Sequence, residues 1–156
     1  PSEKTVINEV NEQDILESLI KSVNLDDMSI IKHHLELSAE DYQDGRWSDS
    51  IANSRYRNSA YHSQISTRFG QISGKEFLSS EDLKWAGKVR GNLKENGFFD
   101  GKEKDALAKI YGLLSETGGH PYIASRDEAR LMRHLFLTIC QFELLRLEGI
   151  INEHNS

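Results

Sequence analysis

The sequence has little cysteine and little proline: among 156 residues there are one cysteine and two prolines. A lone cysteine, Cys140, excludes an internal disulfide framework and a zinc cluster built on cysteines. Because Pro1 opens the chain, Pro121 is the one internal proline, so long helices can form with little interruption. The length predicts one domain with one core.

Positive charge is also in short supply. The chain carries 19 Lys and Arg against 25 Asp and Glu, which gives a formal net charge of −6. This balance argues against a general nucleic-acid coat, although it leaves room for a local basic cleft. A hydrophobic fraction of 37% is enough for amphipathic helices.

Targeting and membrane signals are missing as well. Residues 1–11 are polar and lack a basic segment followed by an apolar run. The most apolar stretch, 131–147, contains charged side chains, so it predicts a core helix rather than a membrane span. We therefore expect a cytoplasmic protein without membrane contact. Since the chain lacks an initiator methionine, we also expect an excised piece of a larger parent chain.

Apolar residues recur at helical spacing along most of the sequence, and no segment alternates convincingly with period two. This pattern predicts an all-α helical bundle of about five to six helices. We expect residues 28–156 to form the bundle and residues 1–27 to pack on it as part of one domain. The expected helices cover about 15–23, 28–44, 48–68, 80–96, 100–117 and 125–150.

Capping residues predict where several helices begin. Ser48, Ser80 and Asp100 precede helical patterns, and Ser125 is followed three residues later by Glu128, as in a capping box. Between the second and third helices, the string Asp-Gly-Arg at 44–46 predicts a tight turn.

The third predicted helix has polar residues on its apolar face. At about 100° per residue, one face carries Ile51, Arg55, Asn58, His62, Ile65 and Phe69. An arginine on a core-facing stripe is costly to bury without an acidic partner or an anion. Two interpretations stay open: Arg55 binds a phosphate while His62 transfers protons, or both belong to a buried structural network. In the second interpretation Arg55 pairs with a carboxylate and His62 with a backbone carbonyl.

A second group of candidates surrounds His120, which lies in a turn containing two glycines and Pro121. The last helix begins just after it, and helix N-termini attract anions. Arg126, Arg130 and Arg133 follow at spacings of four and three residues, so they share a face. A histidine beside these arginines would suit a phosphodiester, whereas the alternative is a capping turn with surface ion pairs.

The sequence thus offers a candidate catalytic set and a candidate substrate-binding set. The catalytic candidates are Arg55, Asn58, His62 and His120. The substrate-binding candidates are Arg57, Glu116, Arg126 and Arg130. No metal and no cofactor is expected, because the remaining histidines lie apart from cysteines and carboxylate clusters and no phosphate-binding glycine loop is present.

Two segments resemble a known family. The segment Tyr42-x-x-Gly45-Arg46-Trp47-x-Asp49-x-Ile51-x-Asn53-Ser54-Arg55 is similar to the second helix of the HEPN superfamily of prokaryotic and eukaryotic nucleotide-binding helical domains. The segment from Tyr111 to Pro121 resembles the stretch before the last helix in its abortive-infection C-terminal branch. The resemblance covers about residues 28–150.

This resemblance implies a HEPN-like domain of a prokaryotic defence or toxin–antitoxin protein that binds RNA. Many members are metal-independent ribonucleases that use an Arg-x(4–6)-His motif and act as homodimers. No arginine stands four to six residues before His120, and Leu113 occupies about that place. Either the site is rebuilt from Arg55, His62 and His120, or the chain is a non-catalytic dimerisation or regulatory module.

The last predicted helix favours the second alternative. It is apolar almost all round, through Leu131, Met132, Leu135, Phe136, Leu137, Ile139, Phe142, Leu144 and Leu145. A helix with so little polar surface is expected to meet a partner chain over part of its length.

Overall fold

In a computed structural model, the protein is described over residues 14–25, 28–75, 78–117 and 125–156. Every regular element in these ranges is helical, which confirms an all-α bundle. The helices are α1 (14–22), α2 (Met28–Gln43), α3 (Trp47–Ser73), α4 (Ala86–Glu95), α5 (Gly101–Thr117) and α6 (Arg126–Asn155), with a 3-10 turn at Asp82–Lys84. With that turn the described ranges hold seven helical elements, slightly more than expected.

Helices α2 and α3 form a hairpin through the predicted turn. Gly45 adopts a φ of +78°, a backbone conformation that residues with a Cβ rarely adopt, so glycine suits this turn. Asp41 closes the turn, because one carboxylate oxygen accepts from Arg46 at 2.6 Å and the other from Asn53 at 2.8 Å. Ser38, Ser50 and Ser54 link the two helices by buried hydroxyl hydrogen bonds.

Helix α3 is longer than the sequence predicted at both ends. It begins at Trp47 with Arg46 as N-cap, so the prediction that Ser48 caps it was wrong. The contact between Arg46 and Asp41 places the N-cap at Arg46, two residues before Ser48. At the other end the helix continues past residue 68 to Ser73, because Phe69 is buried and Ile72 packs on the core. Gly74, at φ +62°, then ends it.

The fourth predicted helix starts later than expected. Ser79, not Ser80, provides the hydroxyl that accepts from the Asp82 backbone, and this bond lies at the start of the short 3-10 turn. Trp85 is extended and separates this turn from α4. Past α4, Gly97 at φ +82° reverses the chain, so that Phe98 and Phe99 enter the core.

The caps of the last two helices are as predicted. The backbone of Glu103 donates to Asp100 at 2.8 Å, and that of Glu128 donates to Ser125 at 3.2 Å. Such caps satisfy amide groups that a helix start leaves unpaired. Helix α6 extends to Asn155 rather than to about residue 150, since Ile150 and Ile151 still pack on the core.

Helices α3 and α6 form the centre of the bundle, and they run in the same direction. Around residues 61–69 of α3 lies the larger core cluster, with the aromatic pair Phe98 and Phe99 and side chains from α1. Near residue 51 lies a smaller cluster with Met132 and Phe136 of α6. Helix α1 belongs to the core through Leu16 and Ile20. None of the described helices has the length and apolar character needed to cross a membrane.

Candidate functional site at the buried His62

Helix α3 delivers His62 into the middle of the bundle. The neighbours on its face, Ile51 and Ile65, are fully buried as the spacing predicted, and His62 itself is 0% exposed. A polar ring in this place needs hydrogen-bond partners, because an unpaired buried polar group is costly.

The two ring nitrogens of His62 bond to side chains of α6 and α5. Nε2 lies 2.5 Å from Oε1 of Glu143, and Nδ1 lies 2.9 Å from the Tyr111 hydroxyl. Glu143 is also 0% exposed and Tyr111 is 7% exposed. We call these three residues the His62 triad. It ties together three helices and leaves neither ring nitrogen available to a substrate.

Burial decides the protonation of the acidic member. It raises the pKa of Glu143 above the ordinary 4.5, while the attraction of His62, Arg146 and Arg90 acts in the opposite direction. Because burial is the largest of these effects, the neutral form of Glu143 is favoured more in the folded chain than in water.

The raised pKa predicts how stability depends on pH. The folded state binds the Glu143 proton more tightly than the unfolded state, so this group stabilises most below pH 4.5 and loses its contribution as pH rises through the folded pKa. Glu143→Gln does not titrate at this position. We expect urea denaturation to show wild type losing stability relative to Glu143→Gln as pH rises from 4.5 towards neutrality. A difference that stays constant over this window would contradict the assignment.

Arg90 of α4 forms the cationic edge of the triad. Its guanidinium carbon lies 4.4 Å from the centre of the Tyr111 ring, and its charge interacts with Glu143. Burial lowers the pKa of Arg90, yet an arginine stays protonated. Nη1 of Arg90 and Oε2 of Glu143 are buried, and neither has a hydrogen-bond partner among the described residues.

The other catalytic candidates fall mostly outside what the structure describes. The side chains of Arg55 and Asn58 are outside the described residues, although the backbone there is helical. His120 lies outside them too, and so do the side chains of Arg57 and Glu116. His62 is therefore the one member of the catalytic set whose surroundings are defined. Its partners are a carboxylate and a phenol, not the backbone carbonyl of the structural alternative.

Two substrate-binding candidates are exposed at the start of α6. Arg126 and Arg130 both face solvent one turn apart. Arg133, predicted to share their face, is instead 3% exposed, and its guanidinium carbon lies 5.0 Å from the centre of the Tyr42 ring. Among the described residues there is no group of three His, Cys, Asp or Glu side chains that could hold a metal ion.

The candidate residues predicted from the sequence did not include Tyr111, Glu143 or Arg90. A signal for Glu143 is present: it continues the buried face of α6 formed by Phe136, Cys140 and Leu147 at spacings of four and three. A carboxylate on such a face needs a partner. No comparable pattern marks Arg90, because its role depends on how α4 crosses α5.

Besides the His62 triad, the structure has an apolar stripe on the solvent-facing side of α6. We call it the α6 stripe, and its six residues follow each other at spacings of 4-3-4-3-4: Leu131, Leu135, Thr138, Phe142, Leu145 and Gly149. Three large members are exposed, Leu131 by 53%, Phe142 by 37% and Leu145 by 55%. This is the spacing of the contact positions in a coiled coil.

Neighbouring contacts hold the α6 stripe in place. The Arg146 guanidinium lies 4.4 Å from the Phe142 ring centre and donates to Glu103 of α5 at 2.8 Å. On the other flank, Glu148 accepts from Ser22, the last residue of α1, at 2.7 Å. The stripe is therefore the exposed ridge of a helix fixed on both sides.

No protein-family model, curated protein or solved structure matches the chain.

Proposed function

We propose that this chain is a non-catalytic helical module that self-associates through the α6 stripe. The observation that carries this proposal is the exposure of Leu131, Phe142 and Leu145 along one line of α6. Apolar surface in water costs about 25 cal/mol per Å², and contiguous exposed patches of this kind mark interaction sites.

The other exposed apolar side chains do not form such a line. Ile15, Trp85 and Leu113 are 52%, 59% and 42% exposed, but each lies on a different element. Single exposed apolar residues are ordinary on protein surfaces. The regular spacing on α6 distinguishes the stripe from them.

The His62 triad supports the non-catalytic part of the proposal. A general acid or base must reach the proton that it transfers, and His62 is completely buried with both nitrogens bonded. The triad fits a role in holding α3, α5 and α6 together.

Sedimentation equilibrium over a range of protein concentrations tests the proposal. We expect wild type to shift from the mass of one chain towards that of two as the concentration increases. Leu145→Glu should stay monomeric, because a carboxylate would be buried in the contact.

Leu113→Glu is the matched control, since it makes the same chemical change at an exposed leucine of α5. It should associate like wild type. Wild type that stays monomeric at the highest concentration would overturn the proposal, as would equal effects of the two variants.

The second candidate function is RNA binding with metal-independent cleavage, as the HEPN resemblance implies. The exposed Arg126 and Arg130 favour it, because they add positive charge at a helix N-terminus, where backbone amides also attract phosphate.

Incubation with structured RNA in EDTA tests this candidate. It predicts cleavage by wild type, loss of cleavage in His120→Ala, and weaker RNA binding in Arg126→Ala/Arg130→Ala. Lys109→Ala, which removes an exposed cation from α5, serves as the control. No cleavage and no binding by wild type would exclude this candidate.

A further inference from the structure

From the α6 stripe we infer that its partner is a second copy of this chain, which packs antiparallel about a two-fold axis midway between Thr138 and Phe142. This inference rests on the proposed self-association and adds the direction and register in which the two copies pack. It follows from the sizes of the stripe residues and from the polar and charged side chains beside them.

Side-chain size favours this register. In an antiparallel pair centred there, Leu131 meets Gly149 of the other copy, Leu135 meets Leu145, and Thr138 meets Phe142. Two of these three contacts place a large side chain against a small one, an arrangement that fills space without overpacking. All six residues of the stripe are covered.

Neighbouring registers fit less well. A shift of one heptad in one direction places Thr138 opposite Gly149, which leaves a gap, and Phe142 opposite Leu145. A shift in the other direction places Leu145 against Glu128, which would bury a carboxylate. A parallel pair would stack Gly149 on Gly149 and Phe142 on Phe142, so that gaps alternate with crowded layers.

The polar side chains that flank the stripe also favour the antiparallel direction. On one edge, His134 lies in the first half of α6 and Glu148 in the second. Antiparallel packing brings each His134 next to Glu148 of the other copy, twice in the dimer. Parallel packing would instead place Glu148 beside Glu153 of the other copy, which is a repulsive contact.

A groove beside Glu148 adds a second carboxylate to the surface that the other copy's α6 would contact. It is lined by Asp14, Ile15, Ser18, Leu19, Ser22 and Glu148, and it lies between α1 and α6. In the antiparallel dimer the first half of the other copy's α6 approaches this groove with Arg130 and His134. The exposed Ile15 adds apolar surface to the same contact.

The size of the surface sets the expected strength. Eighteen residues separate Leu131 from Gly149, about 27 Å of helix. Contacts below the standard interface size of about 800 Å² per partner are typical of weak, transient association. Since the proposed contact uses one helix face, we expect a reversible dimer.

Engineered cysteines test the direction and register. We expect Leu131→Cys and Gly149→Cys, mixed and oxidised at a concentration where wild type associates, to form a disulfide-linked dimer. Neither variant alone should form this dimer, because two copies of residue 131, or of residue 149, lie about 27 Å apart in the antiparallel pair. A side chain fits at Gly149, since no atom lies within 4 Å of an added Cβ.

Wild type provides the baseline, since Cys140 is 1% exposed and is not expected to cross-link. A disulfide dimer of Leu131→Cys alone would indicate a parallel pair and overturn the inference. Concentration-dependent association without the mixed disulfide would also overturn it while leaving the proposed function standing. Absence of association in wild type would overturn both.

Discussion

His62→Ala is expected to destabilise the fold by about 3–5 kcal/mol, because it removes one partner from a fully buried pair. Glu143, which is 0% exposed, would lose its hydrogen bond to Nε2 of His62. Urea denaturation monitored by circular dichroism measures this loss. His62→Ala should affect stability only. Its folded fraction should therefore keep the α6 stripe and should still associate.

A variant that removes all three polar groups shows whether the stability lost in His62→Ala comes from leaving Glu143 without its partner or from losing the triad as a whole. His62→Leu/Tyr111→Phe/Glu143→Met replaces the triad by apolar side chains of similar size. Buried ion pairs replaced in this way often leave stability unchanged or increase it. We expect this variant to recover most of the stability lost in His62→Ala.

A loss below about 1 kcal/mol in His62→Ala itself would show that the ring is not buried as described.

Phe136→Ala is the second large effect that we expect, a loss of about 3–5 kcal/mol from the cavity that it would leave. Phe136 is 0% exposed in the smaller core cluster, and its ring centre lies 6.4 Å from that of Tyr111. The cavity would therefore open between α6 and the His62 triad.

Phe142→Ala provides a matched control on the same helix, since Phe142 is 37% exposed. In dilute monomeric protein it should destabilise much less than Phe136→Ala, by about 1 kcal/mol, because it removes a partly exposed ring and its contact with Arg146. At high concentration it should weaken self-association. Equal destabilisation by the two variants would show that the buried and exposed faces of α6 have been assigned incorrectly.

The local features of the fold were predictable because their causes are close in sequence. The caps at Asp100 and Ser125 depend on a side chain and an amide three residues apart. The turn at Gly45 depends on the backbone freedom of one residue. The errors at Ser48 and Ser80 arose where a contact with another residue, such as that between Arg46 and Asp41, moved the start of the helix.

The candidate site was predictable only in part. Helical spacing placed His62 on the buried face of α3, and the structure agrees. The same spacing could not tell which side chain would face it. Its main partner, Glu143, is 81 residues away in the sequence, and a periodic pattern on one helix carries no information on where another helix crosses it.

By itself, the sequence determined an all-helical protein of long helices, because internal proline is nearly absent and apolar residues recur with helical period. Tertiary structure alone decided which face of α6 is buried. That helix is apolar almost all round, and only its packing on α3 leaves Leu131, Phe142 and Leu145 in solvent. Whether an apolar face is core or contact surface depends on the neighbours that cover it, which are set by the whole fold.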